Sequence, residues 1–439
     1  MSVRTVDLCQ SPRGLDDVAD HAAVCIFVTL DGWPIGSVDI ANRHQPISAT
    51  QLREAIVDQL DLRLLGQDPN SYNALWESVR VALRRHYLPD FDAETRLHDT
   101  VPVSVVVATY DRPGDLRECL RRLTAQETKR PVEIVVIDNH PVSSLTPPVV
   151  AEFPGVLLVD ETRQGLAYAR NKGFIMSRGE IVVATDDDAL APPDWLEKLV
   201  APFARADVMV VTGNTLPLEL ETSAQRLFER YGGLGRGFAR KEVDSKWFDS
   251  FRHRAVPTWE LGATANAAFR AEIFAHPEIG LMDEALGPGT PTGVGEDTYL
   301  FYKVLQAGYT IAYEPAAYVW HKHRREMSAM RKQLYDYSKG HVAYHLTTLL
   351  RDRDLRAVKH LAIWMPWGRL RQFASYARRR LLGGSYFPLA LTLLEIRGNL
   401  AGLRGLWQSY RRVRREGRSD VYVPVVRRTS TGERPRTPQ

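Results

Sequence analysis

Short apolar runs punctuated by polar turns dominate the chain between residues 100 and 190, and they alternate with stretches of helical spacing. Val103–Thr109 (VSVVVAT), residues 132–139 (VEIVVIDN), 156–159 (VLLV) and 181–183 (IVV) are short, largely apolar runs, and the last is β-branched and apolar on both faces. Such runs suit strands covered on both sides in a parallel sheet. Between the first two, Leu116, Leu120 and Leu123 recur at helical spacing, and Gly165-Leu166 opens a second helical pattern through Ala169, Arg170, Asn171 and Gly173. Alternating strands and helices predict an α/β domain, a mostly parallel, doubly wound sheet with helices on both faces.

The flanking segments have different patterns. Residues 22–30 (AAVCIFVTL) read as a strand, Asp31-Gly32 as a hairpin turn and residues 35–40 as the returning strand. Ser48 and Gln51 form a capping box before LREAIVDQL, and residues 72–87 have helical spacing at Leu75, Val79 and Leu83. A small N-terminal α+β accessory domain is expected over residues 1–98, with a polar linker at 88–101 and the main α/β domain at 99–327. Residues 328–418 read as a helical region, and residues 419–439 as a disordered tail.

Composition refines this picture. The chain has 439 residues, 44% of them hydrophobic, enough for several domains with full cores. Cys9, Cys25 and Cys119 are too scattered for a disulfide framework or a zinc site, which fits a reducing cytoplasm. No secretory leader is recognisable, and the apolar run at 386–394 is too short to span a bilayer. The net charge of +4 hides an asymmetry, because residues 324–439 carry 25 Lys+Arg against 8 Asp+Glu. There Trp364, Met365, Trp367, Phe373 and Tyr376 interleave with Arg369, Arg371, Arg378, Arg379 and Arg380. Two expectations follow: peripheral contact with an anionic membrane on its inner face, or a helical cap with a solvated basic face. Nucleic acid is not expected as a partner, since the preceding part is acidic and no nucleic-acid motif occurs.

Candidate chemistry sits at strand ends. Asp186, Asp187 and Asp188 follow IVVAT, and Pro192-Pro193 then lead into a helix starting at Asp194 or Trp195. In open α/β sheets ligands bind beyond the carboxyl ends of strands. Clustered carboxylates repel unless a cation offsets them, and hard oxygen ligands favour Mg²⁺ or Mn²⁺; the competing reading is a solvated acidic turn. Thr109, Asp111, Asp138 and Asp186 would line one sheet edge where a nucleotide can lie, with Arg170 and Asn171 nearby. Neither GxxxxGK[ST] nor GxGxxG follows the first strand, so phosphates would rely on a metal. Further on, Glu296 and Asp297 follow Gly293 and Gly295 at a helix start, where carboxylates either cap the helix or stand ready as a base.

Taken in order, VSVVVATYDRPGDLRECL, EIVVIDN, RQGLAYARNKG, IVVATDDDALAPPDWLEKL and GVGEDTYLFYKVLQAGYTIAYEP with VWHKH resemble glycosyltransferase family 2, inverting nucleotide-sugar enzymes of the GT-A fold. The resemblance covers roughly residues 101–325. It implies that Thr109, Asp111 and Asp138 contact the nucleoside with Arg170 and Asn171 nearby. Asp186 and Asp188 would be the DxD pair for ribose and metal, with Asp187 beside them on the nucleotide-sugar side. His321 would be a third metal ligand, with His323 the weaker choice. Asp297 would be the general base, with Glu296 orienting base or acceptor, and Gly262 and Asn266 would face the acceptor. Residues 231–251 would be a flap. Asn139-His140-Pro141 departs from the acidic residue and Gly-Ser common in relatives, leaving the base of the nucleotide open. The expected partners are a nucleotide-diphosphate sugar donor and a glycan, lipid-linked or small-molecule acceptor. A nucleotidyltransferase and a catalytically silent sugar-nucleotide or glycan-binding protein are the competing functions.

Overall fold

The computed structural model describes residues 1–10, 12–60, 97–381 and 388–424. The helical pattern at 72–87, the first part of the linker and residues 425–439 lie outside the described residues.

The N-terminal unit is a three-stranded sheet of β1 (Ser2–Asp7), β2 (Val24–Leu30) and β3 (Trp33–Ile40). Asp31 (φ 53°) and Gly32 (φ 72°) adopt the left-handed geometry that a tight hairpin requires. β1 adds itself parallel to β2, a strand its pattern did not announce because only one of its six residues is buried. Helix α1 (Ala49–Gln59) begins at the expected capping box: Gln51 N donates to Ser48 Oγ (3.2 Å) and Ser48 N to Gln51 Oε1 (3.0 Å). Its Leu52, Ile56 and Val57 close a core with Leu8, Ile26 and Val28. This unit is docked on the larger one, with the Phe27 ring edge-on to Trp320 at 5.3 Å and Lys198 Nζ donating to Gly32 O at 3.2 Å.

The main sheet comprises β4 (Val103–Thr109), β5 (Val132–Asp138), β6 (Val156–Asp160), β7 (Ile181–Asp186), β8 (Ala189–Leu190), β9 (Val208–Pro217), β10 (Lys241–Val243), β11 (Asn266–Arg270) and β12 (Thr310–His321). Its order is β10-β12-β9-β11-β7-β4-β5-β6, with β8 on β12. The run β7-β4-β5-β6 is parallel, as is β9 with β12, while β11 is inserted antiparallel between β7 and β9. The expected mostly parallel sheet is therefore present with a reversed strand at its centre.

Alternation along β4 sorts its side chains to two faces. Val106 and Ala108 pack with helix α3 (Leu166–Met176) through Ala167, Ala169 and Phe174, in the core that also takes α6 (Glu296–Gln306). Val105 and Val107 meet Leu116, Cys119 and Leu120 of α2 (Pro113–Thr124) and Trp195 and Leu196 of α4 (Trp195–Val200) on the other face. All seven β4 residues are buried, as a strand covered on both sides must be. Helix α5 (Ser223–Tyr231) precedes the expected flap, part of which is anchored: β10 pairs with β12 along 241–243.

Helices α7 (Met327–Asp352), α8 (Met365–Leu381) and α9 (Leu389–Glu416) make up the C-terminal region. A Cβ on Gly398 would sit 2.6 Å from Tyr335 O, and one on Gly402 2.6 Å from Val342 Cβ, so these glycines let α9 lie directly on α7. Leu406 joins the core around α3 and α6, and Val413 packs on Tyr168. The tail expected from residue 419 is docked at Ser419 and Tyr422: Ser419 N donates to Glu284 Oε1 (3.0 Å), and Tyr422 is buried edge-on to Phe274.

Candidate functional site

The strand ends converge on a cluster of carboxylates held by cations. β7 stops at Asp186, the chain turns through Asp187 and Asp188, and β8 then pairs with the end of β12, placing Ala189 opposite His321. That two-residue ladder is what carries Asp188 to His321, whose Nε2 lies 3.3 Å from Asp188 Oδ1. The backbone seals the junction, with Lys322 N donating to Asp188 O at 3.2 Å. Upstream on β12 the parallel pairing with β9 slips between Glu314 and Val319, where Pro315 has no N–H to give.

Asp186, Asp188 and His321 each bring one ligand atom to within 4.8 Å of the others. Two carboxylate oxygens and an imidazole nitrogen form a donor set that accommodates Mg²⁺ or Mn²⁺. Asp186 keeps 28% of its side chain exposed, so the cluster opens outward on that side. Arg112 Nη1 reaches Asp188 Oδ2 at 2.7 Å and Asp187 Oδ1 at 3.2 Å, and Thr109 Oγ1 donates to Asp187 Oδ2 at 2.8 Å. Burial, together with the neighbouring Asp188 charge, pushes the Asp187 carboxyl up to about 7. Burial also opposes ionisation of Asp188, but His321 and Arg112 outweigh it and hold that carboxyl below the usual range. For His321, burial works against protonation and Asp188 more than compensates, raising its pKa.

His323 is not in the group with Asp186 and Asp188. Its Nδ1 lies 3.0 Å from His321 Nδ1 and its Nε2 2.7 Å from Glu229 Oε1, so it orients the His321 ring. Glu229 carries no signal in the sequence, because it enters only through the packing of α5. Arg112, at the end of the first strand, is engaged by Asp187 and Asp188.

Arg170 joins this cluster to the second acidic pair. Fully buried on α3, it donates from Nη2 to Asp186 Oδ1 (2.6 Å), and from Nη1 to Thr264 Oγ1 and Glu296 Oε1 (3.4 Å for the last). Glu296 and Asp297 start α6 after Gly295, whose φ of 114° is open to glycine. Asp297 Oδ1 accepts from Thr298 N (2.7 Å), and among the described residues its Oδ2 receives only the long contact from Thr264 N (3.4 Å). Burial and the adjacent Asp297 charge push Glu296 up to about 8. Neither Glu296 Oε2 nor Arg170 Nε has a hydrogen-bond partner among the described residues.

Other predicted residues are placed differently. Asp138 is buried at the end of β5; its Oδ1 accepts from His140 N (2.9 Å), while Oδ2 has no partner among the described residues. Asp111, in a left-handed turn (φ 53°), pairs with His140 Nδ1 at 2.7 Å, and Tyr110 stacks on the same imidazole at 4.8 Å. Asn139 pins the start of α3 by accepting from Gly165 N (2.8 Å). Asn171 is engaged by the 282–284 loop: Nδ2 donates to Met282 O (2.9 Å) and Glu284 Oε1 (3.0 Å), and Oδ1 accepts from Met282 N (2.9 Å). Asn266 is equally committed, donating to Asn214 O (2.8 Å) and Ala317 O (2.7 Å) and accepting from Trp195 Nε1 (2.9 Å). Gly262 (φ 121°) has no room for a Cβ, which would fall 2.7 Å from Thr212 Cβ. Both residues hold the turn that presents Thr264. Thr264 itself gave no signal in the sequence, since its role depends on the distant Arg170.

Compared with known proteins, residues 104–275 match the family described as Glycosyl transferase family 2. A stretch of 121 residues is 33% identical to the glucosyl-dolichyl phosphate glucuronosyltransferase of Haloferax volcanii, covering 26% of this chain and 38% of that protein. Over 280 residues the chain is 25% identical to glycosyltransferase AglE of the same organism, covering 61% of this chain and 82% of the relative. Among solved structures, the mannosyltransferase PcManGT from Pyrobaculum calidifontis in complex with GDP-Man and Mn²⁺ aligns with a TM-score of 0.49 at 20% identity, over 74% of this chain and 92% of that one. The match to the glucuronosyltransferase thus spans well under half of that protein's length.

The buried Glu296 generates a stability prediction. Its folded pKa, about 8, lies above its ordinary value of 4.5, so the folded chain holds the proton more tightly than the unfolded one. The favourable contribution is complete below about pH 4.5 and is lost as pH rises towards about 8. Urea denaturation at pH 5 and pH 8 should show wild type losing at least about 1 kcal/mol more than Glu296→Gln across that window, close to the free energy of a roughly tenfold difference in proton affinity between the folded and unfolded chains. Equal losses would contradict it.

Proposed function

We propose, from the premise that residues 104–275 are a glycosyl transferase family 2 domain, that this chain transfers a sugar, with inversion, from a nucleotide-diphosphate sugar to an acceptor hydroxyl. The observation that carries this reading is the meeting of Asp186 at the end of β7, Asp188 in the turn after it and His321 at the end of β12, tied through Arg170 to Glu296. One buried side chain thereby links the donor side to the residue next to the base.

On the donor side, Asp138 keeps a buried acceptor oxygen without a partner, which a nucleoside hydroxyl or N–H would satisfy. Asp111 stands at the same edge with the stacked Tyr110 and His140. Asp186, Asp188 and His321 would hold the cation, which when bound offsets the diphosphate charge and steadies the leaving group. On the acceptor side, the weakly engaged Asp297 Oδ2 takes the hydroxyl proton as the acceptor oxygen bonds to the anomeric carbon and the bond to the diphosphate oxygen breaks. Glu296, its pKa pushed up to about 8 by burial, stands beside it largely protonated at neutral pH. Gly262 and Asn266 contribute by holding the turn that carries Thr264.

The relative's dolichyl phosphate favours a lipid-linked acceptor, and the C-terminal surface supports a place for it. Leu393, Leu400, Leu403 and Trp407 recur at helical spacing on α9 and are exposed, as are Trp367 and Leu370 on α8. Arg371 lies over Trp367 at 4.6 Å and Arg411 over Trp407 at 4.7 Å. Apolar residues fringed by arginine fit an anionic bilayer interface. No described helix is long and apolar enough to cross a membrane.

Three outcomes test these assignments. Calorimetry with Mn²⁺ should find that Asp188→Asn binds nucleotide sugar no better than wild type does in EDTA; wild-type affinity unaffected by EDTA would remove the metal from the scheme. Asp297→Asn should bind donor normally yet transfer sugar about 10²- to 10⁴-fold more slowly, the range for a lost general base, and transfer within a few fold of wild type would refute that role. Sedimentation with vesicles should show binding to anionic but not neutral lipid, weakening as salt is raised; equal recovery with both would leave the C-terminal helices as a cap.

A further inference from the structure

Outside the carboxylate cluster, three histidines meet where the C-terminal helices join the main domain. His341 and His345 stand one turn apart on α7, so their side chains share a face. His360 starts a widened, π-type turn, His360–Trp364, that leads into α8. Such turns are uncommon and concentrate where a side chain must be re-aimed. One nitrogen from each ring lies within 4.8 Å of the other two. His341 Nε2 and His360 Nε2 are 2.8 Å apart, while His345, 1% exposed, has an Nε2 with no hydrogen-bond partner among the described residues. Trp259 of the main domain closes over the group, its ring 5.1 Å from His341, 5.7 Å from His345 and 6.0 Å from His360.

We propose that His341, His345 and His360 bind a transition-metal ion, Zn²⁺ by preference, which clasps α7 to the start of α8 beneath Trp259. A buried imidazole nitrogen without a donor or acceptor is costly, and a metal shared with two neighbouring imidazoles satisfies it. His-x₃-His on a helix face with a third histidine supplies three nitrogen ligands and leaves a fourth position for water. An all-imidazole set selects Zn²⁺ over the Mg²⁺ or Mn²⁺ suited to Asp186 and Asp188. Burial lowers the pKa of each ring, His341 to about 3, so the lone pairs are available at neutral pH. The site takes no part in sugar transfer; its effect is on the docking of the C-terminal helices.

The test uses the full chain without a polyhistidine tag, stripped with chelator and titrated with Zn²⁺, and with Co²⁺ as a spectroscopic probe. One equivalent of Co²⁺ should give the visible bands of a tetrahedral nitrogen site, Zn²⁺ should displace it, and excess Mg²⁺ should not. Zn²⁺ should also raise the melting temperature of wild type. His360→Asn, at the half-buried ligand, should weaken Zn²⁺ binding by at least about tenfold and abolish that rise, as should His341→Asn. Asp188→Asn should leave both unchanged. Wild type that takes up no Co²⁺ or Zn²⁺ overturns the proposal whatever the variants do. So does loss of the tetrahedral spectrum in Asp188→Asn with its retention in folded His360→Asn and His341→Asn.

Discussion

A guanidinium buried among oxygens from three distant parts of the chain is the constraint on which the candidate centre depends. Arg170 is 2% exposed and meets Asp186 at the end of β7, Thr264 before β11 and Glu296 at the start of α6. A buried charge is tolerated only when paired and hydrogen-bonded, so each of these elements must arrive in register for the others to be stable. Removing the arginine would leave Asp186 without its buried counter-charge and Thr264 Oγ1 and Glu296 Oε1 without their donor, a loss far greater than that of a surface pair. On the opposite flank Arg112 performs the same service for Asp187 and Asp188. Four carboxyl groups are thus brought together by two guanidiniums and the His321 imidazole.

The sheet topology serves that arrangement. Parallel strands β4, β5 and β7 bring Thr109, Asp138 and Asp186 to one edge because their ends are in register: Thr109 lies opposite Asp138 and Ala108 opposite Asp186. The antiparallel β11 then carries the Thr264 turn back to the same edge, since Asn266 pairs with Thr185 one residue before Asp186. Asn266 locks the reversal by bonding across to the strands and to the Trp195 indole. The long β12 makes the last connection, ending at His321 against β8.

The C-terminal helices divide their charge between docking and solvent. Within the helical layer Arg369 of α8 pairs with Glu395 of α9 at 2.8 Å, while across to the main domain Arg351 pairs with Asp283 at 2.9 Å and Arg412 donates to Gly289 O at 2.7 Å. Part of the basic excess therefore offsets the acidity of the preceding domain and fastens α7 and α9 to it. The exposed leucines and tryptophans on α8 and α9 lie apart from those contacts, so one helical layer combines a docked face with an apolar one turned outward.

Periodicity and punctuation in the sequence determined the parallel strands β4 to β7 and helices α2 and α3 of the main domain, the hairpin at Asp31-Gly32, the capping box at Ser48 and the carboxylates at the strand ends, because each depends on neighbours a few residues away. β1 escaped notice because it pairs through its backbone with little burial to mark it. The partnerships within the site were decided by the tertiary structure alone. Arg170 lies 94 residues from Thr264 and 126 from Glu296, and no local pattern encodes such pairings. The same holds for Asn171 and Asn266, whose types suit ligand binding but whose hydrogen bonds are taken up by a loop and by neighbouring strands. A sequence displays which groups could do chemistry; burial and long-range geometry decide which remain free to do it, because every polar atom removed from water must first find a partner.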